Sequence, residues 1–217
     1  TDEIEAYFQT LASDLAGEHN RAESHIRYDI DMNFQPVSLV ENQRACEDIS
    51  ILRFDRKINI QAGEFIFLWI PGLGEKPFSA LVDDPFSLVV IDVGEFTHAL
   101  MDLPPGTEAY VRGPHGIPVD PPEGSQIMAV AGGTGLAAVY QIARDFDNAE
   151  IFAGARSAQR LYFLEECRRV AEVHVATDDG SAGYRGVVTE LLRERLQDMS
   201  KEQRDKLVFY NCGPAPM

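Results

Sequence analysis

The chain has 217 residues, 45% of them apolar, and a formal net charge of −16 from 35 acidic and 19 basic side chains. That length allows one large domain or two of about 100 residues, and no apolar run approaches the ~18 residues of a membrane span. The acidity argues against a nucleic-acid partner, because phosphate backbones bind basic surfaces. It still permits a nucleotide held by backbone amides. Cys46, Cys167 and Cys212 are odd in number and widely spaced. They make no disulfide framework and no zinc site, and cannot supply the four thiolates of an ordinary iron–sulfur cluster. The opening Thr1-Asp2-Glu3-Ile4-Glu5 lacks the basic and apolar regions of a signal peptide, so a cytoplasmic protein is expected.

In chain order, residues 1–20 read as an amphipathic helix. Ile4, Phe8, Leu11 and Leu15 follow helical spacing, and Gly17 ends the pattern. We assign residues 1–25 to an N-terminal helical extension. Residues 26–120 are richer in valine, isoleucine and phenylalanine, with strands expected near 34–42, 49–56, 64–70, 86–93 and 107–112. Gly63, Pro71-Gly72, Asp83-Asp84-Pro85 and Pro104-Pro105-Gly106 punctuate them, and a helix is expected from Glu95 to Leu103. Short strands with regular turns predict an antiparallel β-barrel. After the linker Pro121-Pro122-Glu123-Gly124, residues 125–217 alternate strand and helix. Strands are expected at 126–131, 149–154, 172–177 and 206–211, and helices at 135–146, 159–169 and 186–198. That order predicts an α/β domain with a parallel sheet, whose ligands sit beyond the carboxyl ends of the strands.

Those ends are distinctive: Gly132-Gly133-Thr134-Gly135, Gly154-Ala155-Arg156-Ser157, Thr177-Asp178-Asp179-Gly180-Ser181 and Asn211-Cys212-Gly213-Pro214. The glycine turn, followed by an alanine-rich helix, exposes amides and a helix N-terminus to a phosphate. The alternative is a tight strand-to-helix turn with no ligand. Arg156 stands where an adenosine ribose would lie, and either binds a 2′-phosphate or stacks on adenine. Asp178 and Asp179 disfavour a phosphate and suit ribose or amide hydrogen bonds. Cys212 places a small polarizable side chain at the last strand end, or is simply a small hydrophobe. In the barrel half, Glu75-Lys76-Pro77-Phe78-Ser79 puts a cation, a ring and a hydroxyl within four positions, suited to phosphate and a flat ring, or else forms an ordinary turn. Gly94 precedes a helix and lets its first amides meet an anion, with Thr97 adding a hydroxyl, or marks a plain helix start. Arg112-Gly113-Pro114-His115-Gly116 reads as a turn closing the barrel. Neither His98 nor His115 has an evident catalytic partner.

Together these motifs resemble the ferredoxin–NADP reductase superfamily: a flavin-binding barrel followed by a nicotinamide-binding α/β domain. Within it, residues 30–217 are most similar to the electron-transfer subunits of type B dihydroorotate dehydrogenase and to subunits of sulfhydrogenases and bifurcating reductases. The resemblance rests on Lys76-Pro77-Phe78-Ser79, Gly132-Gly133-Thr134-Gly135-Leu136-Ala137, Gly154-Ala155-Arg156-Ser157, Thr177-Asp178-Asp179-Gly180-Ser181 and Cys212-Gly213-Pro214-Ala215-Pro216-Met217. It implies FAD in the barrel, with Lys76 in the position of the family's arginine, Phe78 stacking on the ring and Ser79 in the serine position. Lysine there loses the bidentate fork. Gly94 and Thr97 match the stretch beside the flavin pyrophosphate. Gly132 to Gly135 are implied to face the pyrophosphate of NAD(H), and Cys212 and Gly213 to lie by the nicotinamide. Ala138 stands where the family often has proline. The subunits' cysteine-rich tail, which holds a [2Fe–2S] cluster, has no counterpart among these residues.

The expected function is therefore an FAD-containing NAD(P)H oxidoreductase subunit, passing electrons between NAD(H), favoured over NADP(H), and a partner redox subunit of dehydrogenase, hydrogenase or ferredoxin type. A hetero-oligomer is implied. No side-chain acid or base is required, because the cofactor carries the chemistry. Two alternatives stand beside it: a stand-alone NAD(P)H-dependent ferredoxin or oxygenase reductase, and a redox-inactive regulatory subunit that keeps the fold.

Overall fold

A computed structural model describes residues 34–213. The expected helix over residues 1–20 and the segment 214–217 lie outside the described residues.

The first half folds into a seven-stranded antiparallel sheet, ordered β4-β3-β7-β1-β2-β6-β5. Its strands are β1 (Gln35–Cys46), β2 (Ile49–Phe54), β3 (Glu64–Ile70), β4 (Gly74–Phe78), β5 (Ala80–Asp83), β6 (Phe86–Ile91) and β7 (Glu108–Gly116), with helix α1 (Glu95–Met101) between β6 and β7. The outermost strands β4 and β5 are separated in sequence by Ser79 alone, so the sheet curls until its two edges adjoin at that residue. Strand periodicity of two sorts the side chains. Leu52 and Phe54 on β2, Ile66, Leu68 and Ile70 on β3, and Phe86, Leu88 and Val90 on β6 fill the interior, all at most 5% exposed.

Residues of the opposite face are buried too. Ile49, Ile51, Leu81 and Val89 join a second core with Ile127, Ala129 and Ala131 and with Leu136, Val139 and Ile142. This second core belongs to a five-stranded parallel sheet ordered β11-β10-β9-β8-β12. Its strands are β8 (Gln126–Gly132), β9 (Ala149–Ala155), β10 (Glu172–Thr177), β11 (Tyr184–Arg185) and β12 (Leu207–Cys212). Helices α2 (Leu136–Asp145) and α3 (Leu164–Val170) cover the face turned to the barrel. Helix α4 (Val188–Gln197) and the residues around the short α5 (Lys201–Arg204) cover the other, where Met128, Val130 and Phe152 meet Val188 and Met199. Polar contacts reinforce the junction. Arg144 at the end of α2 reaches Asp83 at 2.8 Å, Asp145 accepts from the Ala62 amide at 3.3 Å, and Arg160 pairs with Asp48.

The antiparallel barrel-like sheet and the parallel α/β sheet agree with the expected fold class, and three local readings change. Glu75 to Phe78 is strand, not turn: Pro77 is tolerated because β4 is an edge strand, where a missing N–H breaks no ladder. Arg112 to Gly116 belongs to β7 rather than to a closing turn. The helix expected at 159–169 begins only at Leu164. Residues Ala158–Arg160 form a 3₁₀ turn, and Phe163 takes a left-handed φ of 58° that stops any helix from running through it.

Candidate functional site

The curled sheet leaves a cavity of about 920 Å³ where its seam faces α2. Lys76, Pro77, Phe78 and Ser79 line one side, Gly94 and Thr97 a second, and Thr134, Gly135 and Cys212 a third. These three groups come from one barrel edge, one helix start and two strand ends of the other sheet. The volume falls in the range of cofactor pockets.

Local order explains each side. Glu75 of β4 accepts two hydrogen bonds from Arg112 of β7, from Nε at 2.5 Å and Nη2 at 3.1 Å. The same guanidinium lies 3.9 Å above the Phe67 ring. This locks the edge strand and turns the neighbouring Lys76 outward, where it is exposed. Phe78 is half-buried and its ring centroid lies 6.4 Å from that of Phe96. Gly94 is extended, and a Cβ there would meet nothing within 4 Å. Gly72 and Gly74, on the same cavity, are equally open. Three open glycines, a lysine, a hydroxyl and an aromatic pair suit a long ligand with an anionic part and a flat ring. One expectation is modified: the Thr97 hydroxyl is engaged, accepting from the Val93 and Gly94 amides at 3.0 and 3.1 Å and donating to the Gly94 carbonyl. It caps α1 in the manner of an N-terminal box rather than standing free.

The glycine turn is a 3₁₀ turn, Gly133–Gly135, leading into α2. Its glycines differ. At Gly133, φ is 56° and the space beyond is open. At Gly135 a Cβ would lie 1.8 Å from the Cys212 carbonyl oxygen, so close approach of β12 demands glycine. The buried Tyr162 hydroxyl donates to the Gly133 carbonyl at 3.3 Å and holds the turn from below.

Register places Gly132 beside Gly154, Ala155 beside Thr177, and Ala131 beside Cys212, so the four strand ends form one edge. Along it lie Gly132, Gly133, Arg156, Ser157, Asp178 and Gly213, outside the large cavity. Arg156 and Asp178 are exposed. Asp179 is spent internally: its carboxylate accepts from the Ser181 amide and hydroxyl, at 2.9 and 2.5 Å, and these hydrogen bonds hold it below the usual carboxylate range. Ser181 in turn accepts from the Ala158 amide at 2.7 Å, tying the two turns together. Cys212 is exposed at the cavity, and partial desolvation raises its thiol above the ordinary value, so it is uncharged at neutral pH. His98 pairs with Asp92 at 2.8 Å on the surface, and His115 packs against Phe65 and Phe67, so neither enters the cavity.

Sequence reasoning missed Leu73, Val89, Ile91, Phe96 and Ala138 as lining residues. They are ordinary apolar residues, which carry no signal in the sequence that would mark them as lining a cavity. Among the described residues, Glu150, Glu172 and His174 bring ligand-type atoms within 4.8 Å of one another. Arg195 already donates to both Glu150 oxygens at 3.1 Å, and Gln126 adds a third bond at 2.6 Å, so this is an ion-pair network. No cysteine joins such a group among the described residues. No helix of the described residues is long and apolar enough to cross a membrane.

A sequence profile of the oxidoreductase NAD-binding domain matches residues 129–217. The chain is 37% identical over 183 residues to a Pyrococcus abyssi protein named "probable dihydroorotate dehydrogenase B (NAD+), electron transfer subunit", covering 83% of this chain and 70% of that one. A Thermococcus kodakarensis protein of the same name is 36% identical over 188 residues, covering 85% and 76%. Among solved structures, the fold matches an NADH-dependent reduced ferredoxin–NADP oxidoreductase with a TM-score of 0.72, at 24% identity over 82% of this chain and 67% of that one. It also matches the ferredoxin reductase of carbazole 1,9a-dioxygenase with a TM-score of 0.71, at 20% identity over 85% and 62%. With the two-sheet fold and a relative of this identity spanning more than two thirds of its length, the chain belongs to the oxidoreductase family of dihydroorotate dehydrogenase B electron-transfer subunits.

Proposed function

We propose that this chain is the FAD-containing subunit that passes electrons between NAD(H) and a partner redox subunit; its relatives are named electron transfer subunits of an NAD+-linked dihydroorotate dehydrogenase B. The observation that carries this reading is the convergence of Lys76–Ser79, Gly94 and Thr97, and Thr134, Gly135 and Cys212 on one cavity, although they are far apart in sequence. When bound, FAD supplies a carrier able to exchange a two-electron hydride with a nicotinamide and single electrons with a partner. The protein binds, orients and shields. Lys76 would neutralise the pyrophosphate of a bound flavin, with the open space at Gly94 beside it. Phe78 would hold the flat ring, with Pro77 fixing the strand beside it, and Ser79 would hydrogen-bond a polar ring atom. Thr97 shapes this end by capping α1.

On the other side, Gly132 to Gly135 receive the NAD(H) pyrophosphate and Cys212 with Gly213 borders the nicotinamide. Arg156, Ser157 and Asp178 take the adenosine end. With Asp179 used inside its own turn, Asp178 is the carboxylate left to favour a ribose hydroxyl over a 2′-phosphate, which supports NAD(H) over NADP(H). We take the two sheets as two domains, over residues 26–120 and 125–217. The partner is a dehydrogenase subunit, in a cytoplasmic hetero-oligomer serving dihydroorotate oxidation and so pyrimidine synthesis. Any [2Fe–2S] cluster of that assembly is held outside residues 34–213, since no cysteine there joins a ligand group.

The test is an anaerobic titration of the FAD-reconstituted protein. One equivalent of NADH per flavin is expected to bleach the flavin absorbance, with NADPH at least tenfold weaker. A bound flavin that NADH never reduces would instead make this a regulatory subunit. Failure to retain FAD would remove the reading altogether.

A further inference from the structure

Three turns of the molecule meet one short segment, residues 157–162, between β9 and α3. At its start the Ala158 amide donates to the Ser181 hydroxyl at 2.7 Å, which joins it to the turn after β10. At its end Tyr162, 5% exposed, donates its hydroxyl to the Gly133 carbonyl at 3.3 Å. Burial raises the Tyr162 phenol far above its ordinary value, so the hydroxyl keeps its proton. Between them Arg160 crosses to the other sheet and pairs with Asp48, in the turn between β1 and β2. The segment packs closely under the glycine turn. A void of about 10 Å³, room for one water at most, lies among Gly133, Gly154, Arg160 and Tyr162. Asp48 carries the connection further. Its carbonyl accepts from the Asp92 amide at 2.9 Å, and the next two amides, of Val93 and Gly94, rest on the Thr97 hydroxyl. One Asp48 carboxylate oxygen meets Arg160, and the other is buried without a partner. Removing one partner of such a pair leaves a charge without compensation, so the place of this turn depends on Arg160.

We propose that Arg160 is a positioning residue that couples the turn carrying Gly94 to the turn carrying Gly133, so that FAD and the dinucleotide each tighten the binding of the other. The proposal rests on the flavin and NAD(H) reading above and adds the coupling between the two sites. Arg160 does not line the large cavity, so it acts through the groups it holds. Both turns offer backbone amides beside open glycines, and for an amide direction decides what it can bind. The Gly133–Thr134 peptide is trans and planar. A Gly133 carbonyl held toward Tyr162 therefore points the Thr134 amide the opposite way, toward the open side of the turn. A ligand that fixes Gly94 steadies Asp92 and Asp48, and through Arg160 it steadies Tyr162 and the Gly133 carbonyl. The first ligand bears the loss of conformational freedom, and the second meets a segment already ordered. Linkage makes the effect equal in both directions.

ADP-ribose serves as the dinucleotide probe, because it keeps the pyrophosphate and the adenosine but has no nicotinamide to touch or reduce a flavin. In calorimetric titration it is expected to bind the FAD-reconstituted protein about fivefold more tightly than the FAD-free protein, and saturating ADP-ribose should tighten FAD by the same factor. In Arg160→Met the coupling factor should fall to about one, while ADP-ribose affinity of the FAD-free protein stays within about twofold of wild type. Arg160→Lys keeps the charge and loses the fork, and should retain a factor of about two. Tyr162→Phe keeps the buried ring and should abolish the coupling as Arg160→Met does, which decides the matter should Arg160→Met not fold. ADP-ribose binding indifferent to FAD in the wild type, or coupling that survives Arg160→Met or Tyr162→Phe, would overturn the proposal alone. ADP-ribose affinity lost in FAD-free Arg160→Met would make Arg160 a direct ligand of the dinucleotide and overturn it too. Coupling in a protein whose flavin NADH never reduces would sustain the proposal and remove the electron-transfer function. A protein that retains no FAD would remove both.

Discussion

Glycines that look alike in the sequence do unlike things in the fold. Gly135 yields to the backbone of β12, whose Cys212 carbonyl oxygen would stand 1.8 Å from an added Cβ. Gly94 faces open space. Gly135→Ala should therefore destabilise the protein by about 3 kcal/mol or prevent folding, since backbone cannot yield as a side chain can. Gly94→Ala should cost under about 1 kcal/mol, as N-cap changes of this kind do. It should nevertheless weaken FAD binding about tenfold, because the methyl enters the cavity. Thermal melting of the apoproteins and flavin ultrafiltration separate the two. Equal flavin affinity in Gly94→Ala and wild type would remove Gly94 from the site.

At the scale of elements, α2 is the lever between the two halves. Its first turn carries Gly135 to the cavity, and its last holds Arg144, paired with Asp83 of β5 and with Asp145, each at 2.8 Å. Burial alone would lower the Arg144 guanidinium, but the hydrogen bond and charge of Asp145, with Asp83, hold it above its ordinary value. With these side chains 23–30% exposed, the network is better sheltered than surface pairs worth little. Arg144→Met should lose about 1.5 kcal/mol in urea unfolding. If α2 also sets the approach of nicotinamide to flavin, the rate of flavin reduction should fall more than NADH affinity. A change in stability alone would make Arg144 a structural clamp only.

For the whole molecule, stability and chemistry sit at opposite ends of the parallel sheet. The carboxyl ends of the strands carry the glycine turn, Arg156 and Asp178, while Glu150 near the start of β9 anchors the other end. It is 7% exposed and accepts from Gln126, His174 and Arg195. Burial alone would raise its pKa, yet hydrogen bonds from Arg195 and His174, with their charges, outweigh burial and hold it low. A depressed carboxyl stabilises the fold fully above its unfolded value, and that stabilisation is lost as pH falls through the folded value. Glu150→Gln should remove ~2 kcal/mol at pH 7. It should also flatten the decline in unfolding free energy between about pH 5 and pH 3. An unchanged pH slope would show that other carboxylates govern acid unfolding.

Much of this was legible in the residues themselves. The apolar runs at 86–91 and those ending in Gly132 and Ala155, and the strand–helix order of 125–212, are local patterns, fixed by burial of one face or both. They sufficed for the barrel and the parallel sheet. What only the tertiary structure decided depends on approach between distant segments. It curled the sheet until β4 and β5 adjoin at Ser79, made a strand of Glu75–Phe78, and passed β12 over Gly135. It spent Asp179 and the Thr97 hydroxyl on their own turns and left the Gln141 amide without a partner. A sequence states which groups can donate, accept or stack, but which of them remain free is settled by the neighbours that packing brings.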